Sequence, residues 1–260
     1  MKYVQVFLLC VWSFHACGQV SPIVKFIDKT ILNADMLVNI DSFGTIYSID
    51  GDTFIKTQGT QNIYFSSIQL GNITSANVFN PLKFPVFYEN FNTVVILDNR
   101  LAEITRVNFN DLTPFRLVTK ISAGFDNAIW IYNQNTQQME LFDYLNRKTR
   151  IKSLPISGEV ISIASNFNFC FVLTNKALIT YNYLGNVVSK IPVSGFMAVN
   201  EFNDNLILRK NNHLYFKRAN SIELQPLKLP ELLINQFFVT DETLYIYDGE
   251  ILHRFHLKLN

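Results

Sequence analysis

The chain has 260 residues, 48% of them hydrophobic and 14% aromatic, enough to build a sizeable core in one large domain or two smaller ones. Only 17% are charged and the formal net charge is +1, which argues against a disordered chain and gives no overall electrostatic case for nucleic acid or an anionic membrane surface.

Residues 1–18 read as an export signal, with Lys2 as the basic start, an apolar run from Val4 to Trp12, and the small residues Ala16 and Gly18 before the cut. Cleavage after Gly18 leaves Gln19 first and a mature domain of residues 19–260, exported to the periplasm, cell envelope or extracellular space. Two other readings exist for this segment. Cys17, following Phe14-His15-Ala16, offers an N-terminal lipid anchor with Phe where Leu is preferred, and a buried first strand would need a partner that the far end does not supply. No later segment has the ~20 consecutive apolar residues that a membrane span needs, so no transmembrane segment is expected. Once Cys10 and Cys17 are removed, Cys170 is the lone thiol; its apolar strand makes it a small buried hydrophobe rather than a nucleophile.

Ile23-Val-Lys-Phe-Ile27 comes next, an apolar segment without an obvious neighbour. Six hydrophobic cores then recur, beginning at Thr45, Thr93, Ala128, Phe169, Asn205 and Thr243, at intervals of 48, 35, 41, 36 and 38 residues. That is the period of four-stranded propeller blades. A polar turn precedes each core: Asp41-Ser-Phe-Gly44, Glu89-Asn-Phe-Asn92, Gly124-Phe-Asp-Asn127, Ser165-Asn-Phe-Asn168, Glu201-Phe-Asn-Asp204 and Thr240-Asp-Glu242. A second turn follows each, from Asp50-Gly51 to Asp248-Gly249, and two turns bracketing a strand define an antiparallel meander. Entering strands are read at Met36–Ile40, Val86–Tyr88, Val160–Ala164, Phe196–Val199 and Phe237–Val239, and outer strands at Ile63–Leu70, Arg150–Leu154, Asn186–Ile191 and Ser221–Leu227. The second blade's outer half, Glu103 to Phe115, is irregular enough to leave a five-blade ring open. The last unit shows only three strands, so the N-terminal Ile23–Ile27 segment is expected to complete it. The expected fold is thus all-β, a single closed propeller of six four-stranded blades without free edges between the first and last units.

In its turn-strand-turn signature, notably Asp41-Ser-Phe-Gly-Thr-Ile-Tyr-Ser-Ile-Asp50, the chain resembles the six-bladed propellers of the NHL and TolB-like group. The resemblance implies the fold and carries no catalytic residue.

Chemistry-bearing residues are sparse. Glu89, Asp126, Asn166, Asn203 and Asp241 recur once per blade and could ring the axis as metal ligands, but hairpin turns alone call for these residue types. His253 and His256 lie three apart on one strand and point to opposite faces, and His213 stands alone. There is no Gly-x-Ser-x-Gly elbow, phosphate loop, CxxC pair or acidic calcium loop. Trp130, Tyr132, Tyr245 and Tyr247 read as blade packing, while Tyr64, Tyr88, Tyr144, Tyr181 and Tyr183 could be exposed; Arg147–Arg150 reads as a solvated turn, and Asn72-Ile-Thr74 is a formal glycosylation sequon. No catalytic, cofactor-binding or metal residue is assigned and no cofactor is expected. The short second turns and inter-blade connections predict a shallow, amide-rich surface, suited to a protein or envelope component, or a glycan, bound by a monomeric scaffold. The alternative is a metal-dependent, lactonase-like or glycan-processing enzyme with its site on the axis.

Overall fold

In a computed structural model the described residues are 22–259, so the segment read as an export signal, residues 1–18, and Cys17 within it lie outside them. Six four-stranded antiparallel sheets follow one another around a ring. β1 (Ile23–Ile31) precedes the first blade, which is built from β2 (Met36–Ile40), β3 (Ile46–Asp50), β4 (Thr53–Gln58) and β5 (Gln61–Ser66). The second blade holds β6 (Ser75–Ala76), β7 (Phe84–Tyr88), β8 (Thr93–Leu97) and β9 (Glu103–Asn108), and the third β10 (Val118–Ala123), β11 (Ala128–Asn133), β12 (Gln138–Asp143) and β13 (Lys148–Lys152). β14 (Val160–Ser165), β15 (Phe169–Thr174), β16 (Ala177–Asn182) and β17 (Val187–Pro192) make the fourth; β18 (Ala198–Phe202), β19 (Asn205–Lys210), β20 (His213–Lys217) and β21 (Gln225–Pro226) make the fifth. The sixth is β22 (Gln236–Thr240), β23 (Thr243–Tyr247) and β24 (Ile251–Lys258), with β1 as its outer strand.

The ring therefore closes as the sequence predicts. β1 pairs antiparallel with β24 from Ile23 opposite Lys258 to Ile31 opposite Ile251, and Asp28 and Arg254 meet across the pair in a two-pronged ion pair. Closure leaves β24 with a neighbour on each side.

The second blade corrects the predicted phase. Its inner strand is the two-residue β6, extended by backbone bonds from Thr74 and Asn77, so the core beginning at Thr93 is the third strand and the segment around Val86 the second. Measured on second strands, from Ile46 through Phe84, Ala128, Phe169 and Asn205 to Thr243, the intervals become 38, 44, 41, 36 and 38 residues. The error has a physical source: β7 and β8 are both buried along their whole length, so hydrophobicity cannot say which is central. Glu103–Asn108 is an ordinary outer strand, which excludes five blades. β10 shows no clear alternation in sequence because its pairing shifts register between Val118 and Lys120. The fifth blade's outer strand shrinks to Gln225–Pro226, and its inner strand begins at Ala198 rather than Phe196.

Apolar clusters lie between successive blades. Trp130, Met139 and Leu141 of the third blade pack on Cys170, Val172 and Ile179 of the fourth, and Tyr47 and Phe54 of the first pack on Phe84, Val86 and Val95 of the second. Nearer the axis, polar side chains of the inner strands join neighbouring blades. Ser165 Oγ meets Ser122 Oγ at 2.7 Å, Ser162 Oγ accepts from the Val199 amide at 3.3 Å, Asn200 donates to the Phe237 carbonyl and Thr240 Oγ1 to the Ile40 carbonyl at 2.7 Å. Through these bonds the inner-strand Ser, Asn and Thr side chains tie neighbouring blades together.

Candidate functional site: the crossover face

The ring has two loop faces. One carries the turns between first and second strands, the other the turns between second and third strands together with the connections from one blade to the next. The second, called here the crossover face, is where the sequence places a shallow polar surface. Its turns are indeed rich in amides, but each junction between blades also presents large apolar side chains to solvent: Ile31 at the end of β1 (84% exposed), Ile68 (92%), Phe115 (48%) with Leu117 (38%), Leu154 (81%), Met197 (51%) and Leu233 (53%). The first-turn face exposes large apolar side chains in each blade as well: Phe43, Leu82, Leu145, Phe167, Ile222 and, at the start of β1, Ile23.

Each exposed side chain sits within two residues of a group that anchors the loop. Leu154 is flanked by Ser153, whose buried hydroxyl accepts from the Met139 amide at 3.0 Å, and by buried Ile156, whose amide donates to the Gln137 carbonyl at 2.7 Å. Ile68 follows buried Ser67, whose carbonyl accepts from the amides of Leu70 at 2.9 Å and Gly71 at 3.2 Å. Met197 follows buried Phe196 and donates its amide to Arg209 at 2.8 Å, Leu233 precedes buried Ile234, whose carbonyl accepts from the Arg209 guanidinium, and Leu32 beside Ile31 donates to Glu250 at 2.9 Å.

The Phe115 loop is pinned most heavily. Arg116 reaches into blade three, where Nε meets Glu140 Oε2 at 3.0 Å and Nη2 meets Thr149 Oγ1 at 3.1 Å, while Nη1 returns to the Pro114 carbonyl at 2.8 Å. Glu140 is fully buried; burial opposes its charge, but Asn133, Thr149 and Arg116 outweigh it and hold the carboxyl below its ordinary range. From blade two, buried Asn92 donates to the Arg116 carbonyl at 2.6 Å and accepts from the Val118 amide at 3.0 Å. A loop fixed at both ends shows its Phe in one place, which lowers the ordering cost of binding.

The once-per-blade Asx and Glu residues, read as turn formers that could also ring the axis, do not gather on one face. Glu89 falls on the crossover face because of the phase correction, while Asp126, Asn166, Asn203 and Asp241 lie on the other. Asp126, Asn203 and Asp241 adopt positive φ, Asn166 accepts from the amides of Asn168 and Phe169, and Asp126 pairs with Arg150 at 3.5 Å. These are turn-forming roles. Asn166 also donates to Glu201 at 2.9 Å and Asp204 at 2.7 Å; burial and the nearby Asp204 raise the Glu201 pKa. Among the described residues no three His, Cys, Asp or Glu side chains gather as a metal site.

The remaining candidates separate cleanly. Trp130, Tyr132 and Tyr247 are buried, Tyr245 stacks on Phe238, and Tyr88, Tyr144 and Tyr181 join the core, leaving Tyr64 and Tyr183 exposed. Cys170 is buried and its thiol pKa is pushed up by that burial. His253 bonds Asp248 at 2.9 Å, and His213 and His256 are exposed. Arg150 is ion-paired rather than free in solvent, meeting Asp143 at 2.7 Å. Asn72 of the sequon is exposed, while the Thr74 hydroxyl accepts from the Glu89 amide at 3.0 Å. Lys217 is a buried cation that the sequence did not single out; it donates to the carbonyls of Arg218 and Ala219 at the end of its strand, and burial lowers its pKa.

With this geometry the chain is a six-bladed β-propeller, compatible with the NHL and TolB-like resemblance. No protein-family profile and no curated protein sequence matches it. Solved structures do. A catalytically inactive histidine-to-alanine variant of virginiamycin B lyase from Staphylococcus aureus, with quinupristin, superposes with a TM-score of 0.61 at 9% identity, covering 92% of this chain and 100% of that one. A streptogramin B lyase gives 0.59 at 12% identity, covering 92% and 98%. PorZ, an essential bacterial surface component of the type-IX secretion system of Porphyromonas gingivalis, gives 0.55 at 12% identity, with 86% of this chain covering 31% of that one. At such identities the likeness is one of fold. No helix among the described residues is long and apolar enough to cross a membrane.

Proposed function

We propose that this protein is an exported, non-catalytic binding module whose crossover face docks a protein of the cell envelope or exterior. The carrying observation is the circlet Ile31, Ile68, Phe115, Leu154, Met197 and Leu233: a solvent-facing apolar side chain at each junction between blades, each beside a fixed anchor, with amides between them. Rigid apolar anchors in a polar surround are the ingredients of a protein interface core. The export signal at residues 1–18 and the structural likeness to a bacterial surface component support a location outside the cytoplasm. Cleavage after Gly18, rather than lipidation at Cys17, leaves residues 19–260 as the mature propeller, and mass analysis of the mature N-terminus separates the two.

The test is chemical crosslinking in the native envelope of wild type and of a Leu154→Glu, Met197→Glu variant. Both side chains are exposed, so the fold is kept, and the wild-type adduct is expected to disappear. An adduct that survives in the double variant but is lost in Phe43→Glu, Leu82→Glu would move the site to the first-turn face.

A further inference from the structure

Every blade ends in an outer strand with an unpaired backbone edge, and five of the six edges are blunted. β1 is bulged at Ile27 and carries Lys25, Asp28 and Lys29; β9 is bulged at Ile104 and carries Glu103 and Arg106. β13 is bulged at Arg150 between Lys148 and Lys152, β17 is bulged at Val188 and carries Lys190 and Pro192, and β21 has two residues, one of them Pro226. Bulges, charges, proline and shortness are the devices that stop edge strands from pairing with other chains. β5 has none of them. It runs Gln61-Asn-Ile-Tyr-Phe-Ser66 without a charge or proline, in unbroken register with β4 from Thr53 opposite Ser66 to Gln58 opposite Gln61, and Gln61 through Tyr64 are exposed.

From this contrast we propose that β5 is a pairing edge and that its occupant is β5 of a second copy of this chain, antiparallel and centred on Tyr64, which faces Tyr64 of the other copy. Only an extended backbone meets a row of free N–H and C=O groups, which fixes the occupant as a strand. The segment suits itself: it is uncharged, apolar on both faces at Ile63 and Tyr64, and regular enough to pair in register. A net charge of +1 sets no general repulsion between copies. The predicted monomer thereby becomes a dimer whose two rings meet edge to edge, leaving both crossover faces free.

Light scattering during size exclusion of the full chain, run over a concentration series, tests this. Wild type is expected to move toward twice the single-chain mass as concentration rises. Tyr64→Lys sets like charges across the two-fold and should raise the half-dimer concentration at least about tenfold. Gln61→Lys, at the exposed start of the strand, should act in the same direction, whereas Val188→Lys on the bulged β17 should leave the wild-type curve unchanged. Thermal unfolding checks that each variant is folded. A single-chain mass at every concentration up to about 0.1 mM would overturn the proposal. So would a dimer unaffected by lysine at 61 and 64, or one equally lost with lysine at 188.

Discussion

Asp143 closes the turn after β12, accepting from the amides of Leu145 at 3.1 Å and Asn146 at 2.9 Å and from the Arg150 guanidinium at 2.7 Å. Burial opposes its charge, yet these donors hold its pKa at about 2. A depressed carboxyl stabilises the fold fully above its unfolded value of about 3.9 and loses that contribution as pH falls toward 2, an effect of about 2 kcal/mol. The unfolding midpoint of wild type should therefore fall between pH 4 and pH 2 more steeply than that of Asp143→Asn. Glu140 works differently, because removing it leaves Arg116 buried without its partner; Glu140→Ala should cost about 3–5 kcal/mol in denaturant unfolding and free the Phe115 loop. Glu140→Gln, which keeps acceptor oxygen, should cost less. Little of this pair was legible in sequence: the partners stand 24 residues apart, and the one signal was a Glu inside the apolar run Met139-Glu-Leu-Phe142. Cys170, Trp130, Tyr132 and Tyr247 were legible because their strands declared themselves buried, whereas Tyr88, Tyr144 and Tyr181, left open in sequence, join the core.

At the scale of elements, β11, β15, β19 and β23 stand where the repeat puts them, since each apolar run is bracketed by turn residues. The second blade slipped by one strand because β6 is two residues long and is followed by the excursion 77–83, so the two apolar runs that remained looked like its first and second strands. The exposed circlet was invisible for a related reason. A lone Leu or Ile in a loop reads the same whether it points in, like Ile156, or out, like Leu154. β1 was placed correctly by the arithmetic of closure. Deleting residues 23–31 from the mature chain should leave β24 as an open edge next to buried Phe255 and Leu257, so the expected product unfolds at lower temperature and aggregates, measured by calorimetry and light scattering. Asp28→Asn, which touches only the exposed ion pair, should change the midpoint far less.

For the whole molecule, the ring consumes most polar residues that look chemical in sequence: the Asx residues form turns, and the inner-strand Ser, Thr and Asn residues join blades. What it leaves outward includes anchored apolar points on the crossover face and an unguarded edge on one flank. The most direct measurement is a photo-crosslinker scan in the native envelope, with the probe placed in turn at Ile68, Phe115, Leu154, Met197 and Leu233, and at Phe43 and Leu82 on the opposite face. The expected result is one common partner captured from several crossover-face positions and from neither first-turn position. Capture from Phe43 and Leu82 with none from the crossover face would contradict the account.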